Sequence, residues 1–177
     1  EIQQAIRNVA QSFIVPEIYE VEETDDLAIF YMEYFESISK PSEHQVNNLL
    51  RTFHDETRSL MSNEIFDVFR KEDLENDVQQ MSIYGELPKE IKMKGFFDEV
   101  FESNTWIHGD WGSDQIIVSE RGPVVIDFGK ALVSSPILDF AHNIRFNSKK
   151  YLDVGDTKLL KAIMAVDLMR MAWFDYC

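Results

Sequence analysis

Two aspartates hold the chemical promise of this chain. Asp110 closes a His108-Gly109-Asp110 turn, and Asp127 opens an Asp127-Phe128-Gly129 turn 17 positions later. Between them lie two short apolar runs, at 116–118 and 124–126, separated by a polar turn at 120–122 that ends in glycine. Short β-branched runs around a glycine-bearing turn predict a β-hairpin, which can gather acids near the ends of its strands. Two converging carboxylates suit phosphoryl transfer. One orients or deprotonates an attacking hydroxyl, and the other holds the magnesium ion that neutralises charge on a triphosphate.

The segment at 106–141 carries a fuller pattern. His108-Gly109-Asp110 is followed by four residues and then Gln115, later by Ile126-Asp127-Phe128-Gly129, and then by Ser134-Ser135-Pro136-Ile137-Leu138-Asp139-Phe140-Ala141. Three pieces in this order and spacing resemble the catalytic and metal-binding loops of the aminoglycoside phosphotransferase and choline kinase family. These are small-molecule kinases of the protein-kinase-like fold. The resemblance implies Asp110 as the catalytic, hydroxyl-orienting acid, with Asp127 and Gln115 as ligands of Mg²⁺. It also implies that His108 ties the catalytic loop to neighbouring backbone, and that Asp139 accepts N–H bonds from that loop. The family has Asn where this chain has Gln115. The extra methylene shifts the amide oxygen by roughly a bond length, and magnesium demands near-octahedral geometry. Asp114 is the alternative ligand. Lys130 reads as an exposed cation or a partner for phosphate, and His54 as a histidine satisfied within its own helix packing.

The same resemblance assigns a nucleotide site. The aromatic and aliphatic run at 27–34 predicts a strand, and it is similar to the family's approach to the hinge between lobes. Met32 then lies at the back of the pocket, while the Glu33 carbonyl and the Phe35 N–H face the base of ATP or GTP. Glu1 stands at nearly the distance from Pro16 of a helix glutamate that pairs with a strand lysine in the family. Neither that lysine nor a glycine-rich loop precedes the first helix of this sequence.

The elements that must position these residues read as follows. Apolar spacing predicts a helix over 1–13, ended by Pro16, then an extended stretch at 17–22, a turn at Thr24-Asp25-Asp26 and the strand at 27–34. A helix beginning at Pro41-Ser42-Glu43 carries a stripe of Val46, Leu49, Leu50, Phe53, Thr57 and Leu60. Helices are predicted over 64–84 and 91–101, and another from Asp139, with a break at Gly155-Asp156 before the last helix. The resemblance implies an α+β fold class, a protein-kinase-like fold seen mainly as its helical C-terminal lobe with a short β-hairpin catalytic region. Residues 1–35 read as a remnant of the N-terminal lobe and 36–177 as the C-terminal catalytic lobe, with both ends cut from a longer polypeptide. In this family the later helices build the acceptor site, so Asp153, Asp156, Asp167 and Asp175 are weighed for a cationic substrate against solvated helix faces and caps.

Composition narrows the partners. Thirty-two acids against 17 Lys and Arg give a net charge of −15, which argues against nucleic acid and anionic membranes. It suits a small cationic hydroxyl acceptor, an aminoglycoside- or choline-like compound, as well as plain solubility. The one cysteine, Cys177, permits no internal disulfide and points to a reducing, cytoplasmic setting. The expected function is a nucleotide-dependent small-molecule kinase. The alternative is a kinase-like binding or regulatory module without turnover, favoured by Gln115 and by the missing phosphate loop.

Overall fold

The computed structural model describes residues 1–24, 27–62, 67–81, 89, 91, 95–145 and 156–175. Helix α1 (Ile2–Val9) is followed by an antiparallel hairpin of β1 (Ile18–Glu23) and β2 (Ala28–Met32). The first helix is shorter than the 1–13 pattern suggests. The Gln11 and Ser12 N–H groups donate to the Glu56 carboxylate at 2.7 and 3.1 Å instead of continuing the helix. The turn residues Asp25 and Asp26 lie outside the described residues, but Thr24 and Leu27 on either side are joined by a 2.8 Å backbone bond.

Helix α2 (Glu43–Thr57) begins at a reciprocal cap. The Ser42 hydroxyl accepts the Gln45 N–H, and the Gln45 side chain accepts the Ser42 N–H at 2.8 Å, satisfying two donors that a helix start leaves open. Its buried stripe is Val46, Leu49, Leu50, Phe53 and Thr57. Helix α3 (Lys71–Met81) covers only part of the predicted 64–84 helix. Residues 67–70 instead run beside a later strand, where Phe69 N–H donates to the Val133 carbonyl and Val133 N–H to Asp67, each at 2.9 Å. The remaining positions of that prediction, 64–66 and 82–84, lie outside the described residues. The helix expected over 91–101 is reduced to a turn and a 3₁₀ segment, Asp98–Phe101. Gly95 sits at φ +86, which no right-handed helix accommodates; residues 92–94 of that prediction lie outside the described residues.

Strand β3 (Thr105–Ile107) leads into the His108-Gly109-Asp110 turn, and β4 (Ile116–Ser119) pairs with β5 (Gly122–Val125) as the expected hairpin. Strand β6 (Leu132–Ser134) pairs antiparallel with β3. Neither β3 nor β6 announced itself in the sequence. Helices α4 (Ile137–Arg145) and α5 (Thr157–Asp175) complete the chain, with Asp156 accepting the Lys158 and Leu159 N–H groups at the start of α5.

The core has two parts that meet at the β3–β6 ladder. Trp106 and Val133 face a cluster built from α1, α2, Trp111 and Phe128, while Ile107 and Leu132 face one built from α3, α4 and α5. A ladder buried on both faces holds its register tightly, because a one-residue slip would exchange the two sets. At the centre of the first cluster sits Phe53, with no exposed surface and ring contacts to Phe13, His54, His108, Trp111 and Phe128. Phe53→Ala is expected to cost about 3–5 kcal/mol of unfolding free energy, measured by urea denaturation. A loss below about 1 kcal/mol would show that the aromatic cluster does not carry this half of the core.

Candidate active site

The two signature turns are adjacent because of strand register. Ile107, the residue before His108, pairs with Leu132, and Ile116 pairs with Val125. The Ile126 N–H donates to the Gln115 carbonyl at 3.1 Å. Both ends of the catalytic loop are thereby tied to both ends of the Asp127 loop. The carboxylates thus stand on the loops at the open end of the β4–β5 hairpin, and the β3–β6 ladder fixes the other ends of those loops. Asp110 follows β3, Asp127 follows β5, and two separate ladders bring their loops together.

The catalytic loop is held by buried groups. Asp139, fully buried, accepts the His108 N–H at 2.8 Å and the Gly109 N–H at 2.9 Å, and it meets His54 Nε2 at 2.9 Å. The His108 ring faces the Ile126 carbonyl through Nε2 at 2.9 Å. A carbonyl only accepts, so Nε2 carries the proton and Nδ1 is the bare nitrogen. That Nδ1 is buried with no hydrogen-bond partner among the described residues. Gly109 meets two requirements. Its φ is +78, and a Cβ there would lie 2.2 Å from the Lys130 carbonyl oxygen.

Asp110 itself is largely enclosed, its side chain 17 % exposed. Lys130 Nζ lies 2.8 Å from Oδ2, while His142 Nε2 and Arg170 Nη1 lie 2.9 and 3.4 Å from Oδ1. Burial pushes its acidity the other way, but the Lys130 hydrogen bond and the charges of His142, Lys130 and Arg170 outweigh it. The carboxyl is held below the usual aspartate range. Asp110 is therefore ionised at neutral pH. Sequence reading missed His142 and Arg170 and left Lys130 as an exposed cation. The only sequence signal for Lys130 was its place directly after Asp127-Phe128-Gly129; His142 and Arg170 had none.

Asp127 is exposed and is the one non-glycine residue with positive φ among the described residues, at φ 62 and ψ 63. A left-handed aspartate costs energy that the surrounding structure must impose. Gln115 sits at the same end of the β4–β5 hairpin. Its side-chain amide donates to Asp114 Oδ2 at 3.4 Å, so the amide oxygen points away from that carboxylate. Asp127, Gln115 and Asp114 each offer side-chain oxygens at this end of the hairpin, and oxygen is the donor that suits a hard cation. No group of three or more His, Cys, Asp or Glu side chains is arranged to hold a metal among the described residues.

Of the residues expected to face the base, Glu33 and Phe35 meet the other end of that hairpin through Arg121. Met32 ends β2 with its side chain 44 % exposed. The Glu33 N–H donates to the Glu17 carbonyl at 2.8 Å, and the Glu33 carboxylate is bound by Arg121 of the β4–β5 turn. That bond holds the Glu33 carboxyl below the usual range. Phe35 is buried beneath the same guanidinium, 4.9 Å from its ring centroid. Arg121 thus docks the 33–35 segment on the hairpin that carries Gln115 and Asp127, about 13 Å away along four strand residues. Glu1 lines a surface cavity of about 590 Å³ between α1 and the β1–β2 hairpin, whose lining includes Ile18, the strand partner of Met32. Of the four acids weighed for the acceptor, Asp156 is engaged as the cap of α5. Asp167 is half-buried on α5, the Asp175 side chain is not described, and Asp153 lies outside the described residues.

This α+β fold, with the His108-Gly109-Asp110 and Asp127-Phe128-Gly129 loops held side by side, is that of the kinase-like small-molecule phosphotransferases. The chain belongs to the phosphotransferase enzyme family, whose model matches residues 4–156. Among solved structures it is similar to a thermostable mutant of aminoglycoside phosphotransferase APH(4)-Ia in ternary complex with ADP and hygromycin B. That likeness has a TM-score of 0.60 and 12% identity, over 97% of this chain and 75% of that one. A choline/ethanolamine kinase family protein from Mesorhizobium loti gives a TM-score of 0.59 at 12% identity, over 97% and 65% of the two chains. The GDP complex of an aminoglycoside 2′-phosphotransferase-IIIa mutant gives 0.52 at 15%, over 95% and 72%. At such identities the likeness is one of fold. No curated protein matches the chain in sequence.

Gly109→Ala is expected to force the catalytic loop off the Lys130 carbonyl and to lower the melting temperature by about 4–8 °C, equivalent to roughly 2 kcal/mol. Differential scanning calorimetry reads this directly; an unchanged melting temperature would mean the two loops are not packed as described.

Proposed function

We propose that this chain transfers the γ-phosphoryl group of ATP or GTP to a hydroxyl of a small molecule. The observation that carries the reading is the pairing of an enclosed, ionised Asp110 with an exposed, left-handed Asp127 on two loops tied through strand register. Asp110 orients the acceptor hydroxyl. With its carboxyl held below the usual range it is a weak base, and in a loose transfer its work is mostly positioning. Asp127 and Gln115 hold Mg²⁺, with Asp114 steadying the Gln115 amide. Bound there, the ion supplies charge neutralisation on the transferring phosphate. Lys130, held on Asp110, is a cation that can share in neutralising that phosphate. The backbone of 33–35, behind Met32, receives the base. His108 and Asp139 keep the catalytic loop in shape.

The acceptor is a small hydroxyl compound, and the acidic chain favours one bearing a cation. Lys130, His142 and Arg170 crowd Asp110, so any cationic group on that acceptor sits away from the reacting oxygen. No described helix is long and apolar enough to cross a membrane. The competing reading, a binding or regulatory module, is favoured by Gln115, whose longer side chain stands where the family has Asn.

Calorimetric titration with MgATP and MgGTP, followed by a nucleotide-consumption screen over amine, aminoglycoside and sugar acceptors, separates the two. Metal-dependent nucleotide binding is expected, and Asp127→Ala should abolish it. Asp110→Asn should lower kcat by roughly 10²-fold or more with nucleotide affinity kept within about twofold. Nucleotide binding without turnover on any acceptor would favour the module; no binding of either nucleotide would sink both the metal and the hinge assignments.

A further inference from the structure

Asp110 has two oxygens in unlike surroundings. Oδ2 meets only Lys130 among the described residues, a lysine 36 % exposed on the rim of the site. Oδ1 faces inward, toward His142, whose side chain is 4 % exposed, and Arg170 behind it. His142 lies on α4 three residues after Asp139, so both project from one face of that helix. Asp139 grips the N–H groups of His108 and Gly109, just before Asp110. His142 Nδ1 faces the carbonyl of Trp111, just after it, at 3.1 Å. One helix face therefore clamps the backbone on both sides of Asp110. The imidazole ring then spans rigidly from that backbone to the carboxylate.

We propose that His142, backed by Arg170, is a positioning residue that anchors Oδ1 of Asp110 and leaves Oδ2 as the oxygen that meets the acceptor hydroxyl. This rests on the reading of Asp110 as the hydroxyl-orienting group. Proton bookkeeping ties the His142 anchor to the doubly protonated ring, with Arg170 holding the oxygen when Nε2 is bare. The Trp111 carbonyl requires a proton on Nδ1. Nε2 lies 2.9 Å from Asp110 Oδ1, which only accepts, and 3.0 Å from Arg170 Nη1, which only donates. When Nε2 is protonated, it donates to Oδ1 itself. When it is bare, it accepts from Arg170, whose Nη1 also lies 3.4 Å from Oδ1 and takes over that oxygen. The groups facing the ring from the packed elements include Asp110, Arg170 of α5 and, beyond the carboxylate, Lys130. Each carboxylate oxygen has room for two donors, so a hydroxyl can join or displace Lys130 at the exposed Oδ2.

The test uses the full chain with His142→Ala and His142→Gln, each checked for wild-type melting. Three readouts are taken: steady-state phosphotransfer, nucleotide affinity by calorimetry, and the ¹³C-detected titration of the Asp110 carboxyl, assigned with Asp110→Asn. His142→Ala should lower kcat by about 10–100-fold, the scale of a misplaced reacting group, with nucleotide affinity within twofold. The Gln variant, which keeps an N–H donor, should recover part of that loss. The Asp110 carboxyl should titrate at higher pH in His142→Ala than in the wild type, because a donor to its ionised form is gone. A folded His142→Ala protein with wild-type kcat and an unmoved Asp110 titration overturns the proposal. If the wild type shows no turnover, it is the phosphotransfer reading that fails, and the carboxyl titration alone still decides whether His142 holds Asp110. Should the Ala variant unfold, the Gln variant carries the same comparison.

Discussion

The carboxylate of Asp139 is the interaction on which the rest of this structure depends. A carboxylate stripped of water is costly unless nearly every lone pair is used. Here it receives two backbone N–H groups of the catalytic loop and one side chain from α2, and it lies in the first turn of α4, where the helix dipole favours negative charge. Three parts of the chain that are far apart in sequence thus converge on one buried charge. Loss of any partner would leave that charge underpaired, which is why the loop's conformation is specified so sharply. The loop exists in this shape because the acid beneath it must be satisfied.

Strand register extends that constraint to the second loop. The β3–β6 ladder is only three residues long, but its faces belong to two different cores, so it cannot slide without exposing Trp106 or Ile107 to the wrong neighbours. The β4–β5 hairpin is in turn held on both edges. Ile14 bonds to Pro123 and Val125, and Ile38 bonds to Val118. The catalytic hairpin is thereby wedged between the segment after α1 and the segment after β2. The chain's N-terminal third is the frame that fixes where Gln115 and Asp127 end up. The left-handed backbone of Asp127 is affordable only in such a frame.

Much of this was legible in the residues. The capped helix α2 announced itself through Ser42 and its apolar stripe, and the β4–β5 hairpin through two β-branched runs around Gly122. The signature turns were legible because glycines beside acids at fixed spacing have few other uses. What the sequence hid was of a different kind. Strands β3 and β6 are three residues each and buried on both faces, so they show no alternation and are too short for a run to stand out. Residues 67–70 sit in a charged, helix-like stretch, yet pair with β6 because that edge needs its backbone bonds satisfied. His142 and Arg170 are separated from Asp110 by 32 and 60 positions. Nothing in their neighbours' types marks them, and only the packing of α4 and α5 brings them to the carboxylate. The site residues that belong to motifs could be read; those delivered by tertiary packing could not.

The central claim is that Asp110 and Asp127 address the two ends of one phosphoryl transfer. A crystal structure of the chain with a non-hydrolysable ATP or GTP analogue and Mn²⁺, the ion located by its anomalous signal, tests it most directly. The account predicts the ion within about 2.5 Å of an Asp127 carboxylate oxygen, with the terminal phosphate facing Oδ2 of Asp110 and the base against residues 33–35. An ion held without Asp127, or a nucleotide bound away from Asp110, would contradict it.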